Sequence, residues 1–200
     1  MTEAVEHAVA DATRFVAGNG HLPRNVVSEP GNDIERHVSL ANAQRIAATV
    51  RARGGTIVAT GGCFDLLHTG HVATLNAARR LGDCLIVCLN SDTSVTNLKG
   101  PDRPVISQSD RAAMLLALRC VDAVVIFDDS TPVPTLNHIR PDIWVKGGDY
   151  TATGMSEAQQ VRSWGGQAVT VPYLSGRSTT TILNTTRRTE RSGTRPAVGA

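Results

Sequence analysis

From about residue 56 onward, the chain alternates short β-branched apolar runs with longer amphipathic segments. The runs are rich in Val and Ile and almost continuously apolar, as parallel strands buried on both faces are. They lie at residues 56–61, 84–90, 122–127, 142–146 and 167–171. Apolar residues recur at helical spacing between them, as at Val72, Leu75, Ala78 and Leu81. This alternation predicts an α/β, Rossmann-like fold with a doubly wound five-stranded parallel sheet.

The two ends of the chain lack this alternation, which divides the sequence into three parts. Residues 1–39 are predicted to be an N-terminal extension, partly helical or irregular, because residues 18–33 are rich in turn formers. Residues 40–187 are predicted to form a single domain that begins with a helix. Residues 188–200 are polar and contain Pro and Gly, so we expect a disordered tail.

Charge and hydropathy exclude several classes of partner. A formal net charge of +2 is too small to indicate a nucleic-acid binder. No apolar run approaches the roughly 18–20 residues that a membrane-spanning helix needs. The first residues include acidic ones where a secretory signal is basic, and no apolar stretch follows them. We therefore expect a cytoplasmic protein that binds neither nucleic acid nor membrane.

The cysteines and lysines are few. The four cysteines contain no CxxC pair, so neither a disulfide nor a structural zinc site is expected. Of the 20 basic residues, only Lys99 and Lys146 are lysines. Composition alone favours chance for these two, but a compact ammonium also suits phosphate oxygens.

The segment that carries chemistry is TGGCFDLLHTGH, residues 60–71, directly after the first strand. Ligands of open α/β sheets bind at the carboxyl ends of strands, where the winding reverses. Gly61 and Gly62 are expected to let the backbone turn tightly and approach a ligand. Gly70 is expected to leave room before a helix that His71 opens, whose first amides would bind an anion.

Two imidazoles of this turn, His68 and His71, can point into one pocket and donate hydrogen bonds to phosphate oxygens. They could also be ordinary polar residues, but the glycines and the position after a buried strand favour a site. A metal site is the weaker interpretation because no third ligand is close in sequence. Asp65 is expected to fix the loop or a histidine tautomer rather than to act as a base.

GCFDLLHTGH resembles the HxGH signature of the cytidylyltransferase-like nucleotidyltransferase superfamily. Further blocks are similar to those of the bacterial D-glycero-D-manno-heptose 1-phosphate adenylyltransferases, which make ADP-heptose. These blocks are LGDCLIVCLNSD, LKGPDRPVISQSDR, VDAVVIF, PDIWVKGGDY and SGRSTT. The resemblance covers residues 40–187. HxGH alone implies nucleotidyl transfer, whereas LKGxxRPV and VKGGDY imply the heptose 1-phosphate branch.

The resemblance also implies roles for single residues. The residues expected to be catalytic are His68, His71, Lys99 and Arg111. The residues expected to bind nucleotide are Gly61, Gly62, Cys63, Phe64, Asp65, Gly70, Lys146, Gly148, Asp149, Gly176, Ser178 and Thr179. Among these, Ser178 or Thr179 can also cap a helix whose N-terminus faces phosphate, or serve as a plain cap.

The implied reaction is transfer of AMP from ATP to a small phosphorylated sugar, heptose 1-phosphate, giving ADP-heptose and pyrophosphate. Mg²⁺ is the expected cofactor, carried on the triphosphate with no protein ligand assigned, and the resemblance leaves a homodimer open. Three alternatives also stay open. They are another enzyme of the superfamily (a cytidylyltransferase or an FAD synthetase), a nucleotide-binding regulator without turnover, and an interaction protein that works through its N-terminal segment.

Overall fold

The computed structural model of the chain describes residues 38–148 and 156–171. Its strands β1 to β5 are Ile57–Gly62, Cys84–Asn90, Ala123–Phe127, Ile143–Gly147 and Gln167–Val171. Its helices α1 to α6 are Leu40–Ala52, Thr69–Arg79, Asp92–Lys99, Gln108–Leu116, Val133–Ile139 and Ser156–Ser163. The predicted extension at 1–39 (but for its last two residues) and the predicted tail at 188–200 lie outside the described residues.

The strands form one parallel sheet in the order β3-β2-β1-β4-β5. The predicted doubly wound sheet is confirmed, and each predicted strand lies within one residue of an observed one. All seven residues of β2 are buried, as its continuous apolar run indicates. The chain winds outward from β1 to β3 and then returns to β4 on the other side of β1. The carboxyl ends of β1 and β4 therefore flank the point where the winding reverses, which is where such sheets bind ligands.

Helices cover both faces of the sheet. Helices α1, α5 and α6 pack on one face, where Trp144 is the largest fully buried side chain. Helices α2 and α4 pack on the other, through Leu75 and Leu115. Leu81 was expected on the buried stripe of α2, but it follows the helix and is 38% exposed. The stripe ends at Ala78 because the helix ends one residue later.

Serine caps determine where three helices begin. The hydroxyls of Ser39, Ser91 and Ser107 each accept a hydrogen bond from the amide three residues further on. These bonds satisfy amides that the first turn of a helix leaves without an internal partner. The helix predicted at residue 40 is confirmed, with its start at such a cap.

Gly61 and Gly62 do not make the tight turn that the sequence predicted. Both are the last residues of β1, in extended backbone. A Cβ on Gly61 would lie 2.8 Å from Cη2 of Trp144, so close packing against the indole is what requires glycine here. The turn comes later, at Phe64, whose φ of 44° is in the left-handed region.

Candidate active site

A cavity of about 180 Å³ opens at the carboxyl ends of β1 and β4. Its walls combine the end of β1, the turn after it, the first half of α2, the end of α3 and the end of β4. The lining residues are Thr60, Gly61, Gly62, Cys63, Phe64, Asp65, His71, Thr74, Lys99, Lys146 and Gly147. The Thr60 hydroxyl donates to the Val145 carbonyl at 2.8 Å, which ties the two strands together beneath the cavity. The predicted location of the site is where this cavity lies.

Helix α2 begins two residues earlier than the sequence predicted. His68 is its N-cap, Thr69 is the first helical residue, and Gly70 is buried within the first turn. His71 therefore lies inside the helix rather than opening it. The Nδ1 atom of His68 accepts a hydrogen bond from the His71 amide at 3.4 Å. Because Nδ1 is an acceptor, the proton of a neutral His68 resides on Nε2, which is left as a donor.

The two imidazoles of the HxGH turn stack on each other. The ring centroids of His68 and His71 are 3.8 Å apart with an interplanar angle of 20°. The ring of Phe64 lies against His71 on another side, at a centroid distance of 5.1 Å. His71 lines the cavity. His68, the N-cap of α2, is not among the lining residues. The structure therefore brings both histidines together, with only one of them on the cavity wall.

Both imidazoles are held neutral. Burial lowers the pKa of His71 to about 4, with smaller contributions from the nearby charges of His68 and Lys99. A hydrogen bond with the Leu66 backbone acts in the opposite direction. Burial also lowers the pKa of His68. Near neutral pH each ring therefore carries one N–H, and that of His68, on Nε2, can donate a hydrogen bond to an anionic ligand.

The depressed pKa of His71 predicts that the protein loses stability in mild acid. The native state binds fewer protons here than the unfolded chain, whose histidines titrate near 6.5, so the free energy of unfolding falls as the pH drops from about 6.5 to about 4. Urea unfolding across this range should show a shallower pH slope for His71→Gln. The variant His138→Gln, at an exposed position of α5, serves as control and should keep the wild-type slope. Equal slopes for His71→Gln and wild type would contradict the assignment.

The two lysines of the chain both line the cavity. Lys99 ends α3, is exposed, and has no ion-pair partner among residues 38–148 and 156–171. Lys146 lies in β4, where its Nζ is 3.4 Å from Oε1 of Glu157 on α6 and 5.8 Å from the ring centroid of Trp144. Chance, which composition alone favoured, is a poor explanation once both ammonium groups border one cavity.

Asp65 ties the turn after β1 to a loop that is distant in sequence, at residues 103–106. Its carboxylate, 1% exposed, accepts hydrogen bonds from Arg103 and from the amides of Val105 and Ile106. Burial by itself would raise the pKa of Asp65, but these hydrogen bonds outweigh it and hold the pKa below its usual range. The carboxylate is thus ionised and fully engaged, which agrees with a role in fixing the loop. No bond in the described residues links it to either histidine of the turn.

Arg111 does not face the cavity as the resemblance implied. Its side chain is completely buried, and its guanidinium donates to the Cys63 carbonyl, to the Ile106 carbonyl at 3.0 Å and to the Asp92 carboxylate at 2.8 Å. Each of the three nitrogens donates to a protein group, and Arg111 is not among the residues that line the cavity. The structure thus places Arg111 outside the cavity lining, and its expected phosphate contact stays a prediction.

The remaining predicted residues fall into two groups. Gly148 follows β4 with a φ of 114° and donates its amide to the Val171 carbonyl at 3.2 Å, outside the cavity lining. Asp149, Gly176, Ser178 and Thr179 lie outside the described residues. Their expected roles stay predictions.

Sequence reasoning missed three cavity residues, Thr60, Thr74 and Gly147, of which the last two lie against each other. A Cβ on Gly147 would lie 3.0 Å from Cγ2 of Thr74, so the glycine lets β4 and α2 approach closely. Gly147 stands in the conspicuous block VKGGDY, which could have indicated it. Thr74 lies one turn after His71 on α2, and no sequence pattern marks it.

The cysteines are free thiols. Cys84, Cys88 and Cys120 are buried, and Cys63 lies in the cavity wall with its Sγ 3.8 Å from Oδ1 of Asn90. Within residues 38–148 and 156–171, no group of three or more His, Cys, Asp or Glu side chains could hold a metal ion. In the same part of the chain, no helix is both long and apolar enough to cross a membrane.

Comparisons with known proteins agree with this fold. The profile of the family described as cytidylyltransferase-like matches residues 59–195. The chain is 52% identical over 185 residues to the bifunctional protein HldE of Streptomyces coelicolor, covering 90% of this chain and 39% of that protein. It is 44% identical over 192 residues to HldE of Methylobacillus flagellatus, with 92% and 39% covered. The chain thus spans about two fifths of the length of these relatives.

A solved structure is similar as well. It is the lipopolysaccharide core biosynthesis protein from Thermoplasma volcanium, with a TM-score of 0.51 and 26% sequence identity. The similarity covers 60% of this chain and 98% of that one.

Proposed function

This chain belongs to the cytidylyltransferase-like family, and we propose that it transfers AMP from ATP to a heptose 1-phosphate, yielding ADP-heptose and pyrophosphate. The observation that carries the proposal is the cavity at the β1–β4 switch point, bordered by His71 and by both lysines of the chain. Such a cavity suits a triphosphate, because it combines neutral hydrogen-bond donors with two cations. The choice of ATP and heptose 1-phosphate is supported by the sequence blocks and by the HldE relatives.

The reaction proposed is in-line displacement at the α-phosphorus. An oxygen of the acceptor phosphate attacks the α-phosphorus, the bond to the bridging α–β oxygen breaks, and pyrophosphate leaves with that electron pair. A phosphate monoester has its second pKa near about 6, so its dianion is already a nucleophile at neutral pH. No general base is required, which fits the full engagement of Asp65.

Catalysis is then a matter of position and charge. The N–H groups of His68 and His71 donate to phosphate oxygens as charge moves onto the leaving pyrophosphate. Lys99 and Lys146 offset the charge of the phosphate chain. Mg²⁺ is proposed to enter with the triphosphate as part of the substrate, since Asp65, the carboxylate in the cavity wall, is already bound by Arg103 and two amides.

Pyrophosphate release tests the proposal directly. ATP, CTP, GTP and UTP, each with Mg²⁺, are crossed with heptose 1-phosphate, glycerol 3-phosphate and FMN as acceptors. Release with ATP and heptose 1-phosphate alone is the expected result. Release with another pair would keep the reaction type and replace the substrates. If ATP binds and no pair releases pyrophosphate, the chain is a nucleotide-binding regulator and the proposal is wrong.

The lysines offer a test of binding that needs no turnover. Because the chain has only Lys99 and Lys146, acetylation followed by mass spectrometry reports two side-chain amines. We expect Mg²⁺-ATP to slow the acetylation of both lysines, since the triphosphate would cover them. Mg²⁺ without nucleotide is the control and should leave the acetylation rate of both lysines unchanged. Unprotected lysines at saturating ATP would show that the triphosphate does not occupy this cavity.

A further inference from the structure

Arg111 is a fully buried cation that does not line the cavity described above. Burying an arginine is costly unless its donors are paired, and here all three nitrogens are. The carboxylate partner, Asp92, is 43% exposed, so it neutralises the charge from the solvent side. The other two partners are backbone carbonyls, and both belong to segments around the turn after β1.

The first carbonyl belongs to Cys63, the residue before Phe64. Phe64 has a φ of 44°, which is unfavourable for a bulky side chain and persists only where the surroundings hold it. The hydrogen bond from Arg111 holds the Cys63 carbonyl, which belongs to the peptide unit directly before Phe64. Phe64 in turn is 8% exposed, and its ring lies against His71. A continuous path of contacts therefore leads from the guanidinium to the imidazole in the cavity wall.

The second carbonyl belongs to Ile106, in the loop that Asp65 also holds. Nε of Arg111 donates to the Ile106 carbonyl at 3.0 Å, while the Ile106 amide donates to Asp65 at 3.3 Å. Ile106 is thus bound from both sides, by Arg111 on α4 and by Asp65, the residue after Phe64. This arrangement braces the turn against the loop at two points.

We propose that Arg111 is a positioning residue, which holds the Cys63 carbonyl and thereby sets the ring of Phe64 against His71 without touching the nucleotide. The planar guanidinium is suited to this task because it reaches both carbonyls and Asp92 in one fixed geometry. The inference deepens the proposed function and rests on it for the readouts that use turnover.

The competing interpretation, a phosphate contact, makes opposite predictions for two variants. Arg111→Met removes the donors, and Arg111→Lys keeps the charge but not the planar fork. For a positioning residue, both variants lower kcat by roughly 10-fold to 10²-fold, and the Kd for ATP stays close to wild type. For a phosphate contact, Arg111→Met raises the Kd for ATP and Arg111→Lys restores it. Arg45→Met, on the exposed face of α1, is the control and should behave as wild type.

The histidine itself provides a readout independent of turnover. An NMR titration of the imidazole C–H signals, with His71→Gln to assign the resonance, follows the pKa of His71 in the full chain. In folded Arg111→Met we expect this pKa to rise toward its ordinary value, because the ring loses its packing against Phe64. A general loss of stability would leave the pKa of His71 in the folded protein unchanged. Should wild type release no pyrophosphate, the proposed function fails and this titration still decides the positioning role.

A milder variant guards against misfolding. Asp92→Asn keeps an acceptor for Arg111 at a half-exposed position and removes only the charge. Like Arg111→Lys, it should lower kcat and leave the Kd for ATP unchanged. The inference is overturned if kcat and the His71 titration are unchanged in folded variants, or if the Kd for ATP rises with kcat intact.

Discussion

Replacing His71 by alanine is expected to lower kcat by roughly 10²–10³, the usual loss when one preorganised donor to a developing oxyanion is removed. The imidazole lines the cavity and is neutral, and in the proposed mechanism it donates a hydrogen bond to a phosphate oxygen of the bound triphosphate. Alanine cannot donate a hydrogen bond and leaves the ring of Phe64 without its neighbour. Steady-state pyrophosphate release at saturating ATP and acceptor measures the effect.

His68 needs a control that separates chemistry from helix capping. His68→Ala removes both the Nε2 donor and the cap on the His71 amide, and loss of a cap costs about 1 kcal/mol of stability. His68→Asn keeps a capping oxygen and removes the imidazole. We expect both variants to lose turnover, while only His68→Ala loses stability. His138→Ala controls for histidine removal as such. Near wild-type turnover in both His68→Ala and His71→Ala would contradict the proposed mechanism.

Asp65→Ala is expected to lower the free energy of unfolding by roughly 3–5 kcal/mol, the cost of breaking a buried ion pair on one side. The substitution leaves Arg103 without its carboxylate and strips an acceptor from the amides of Val105 and Ile106. Because a small domain has only about 5–15 kcal/mol of stability in total, this is a large fraction. Urea denaturation followed by circular dichroism measures it.

The exposed neighbour Asp102 supplies the matched control. Asp102→Asn should change stability little, as surface substitutions generally do. Asp65→Asn tests the charge separately. Since the pKa of Asp65 is lowered in the native state, its carboxylate stabilises the fold above the unfolded pKa and loses this effect as the pH falls through the native value. The difference in the free energy of unfolding between wild type and Asp65→Asn should therefore become smaller in acid. The absence of this difference at neutral pH would contradict the bracing role of Asp65.

The strands could be predicted to within a residue because each is a continuous local run. In a sheet covered on both faces, the residues of a central strand are buried on both sides. Such a strand therefore appears in the sequence as a continuous apolar run, as β2 does. The place of the site followed from the same logic, since a doubly wound order brings the turn after β1 to the switch point. The HxGH turn could be identified because its residues are neighbours in sequence.

The hydrogen-bond partners of the buried polar side chains could not be predicted in this way. Asp65 and its loop partners are 38 to 41 residues apart, and Arg111 binds the Cys63 carbonyl across 48 residues. Resemblance assigned Arg111 to the nucleotide because arginine suits phosphate, but a guanidinium suits backbone carbonyls equally well. Which of these it meets depends on the path of the loop between α3 and α4, which no periodicity records.

Gly61 illustrates the same division between sequence and tertiary structure. The sequence determined that a glycine ends the central strand, and backbone freedom was the natural reason for it. The fold shows that Trp144, 83 positions later in the chain, occupies the space of the missing Cβ. Local patterns thus determined the elements, their order and the place of the site, because these depend on burial and turn chemistry along the chain. Only the tertiary structure decided which buried groups meet, because those contacts form between segments that lie far apart in sequence.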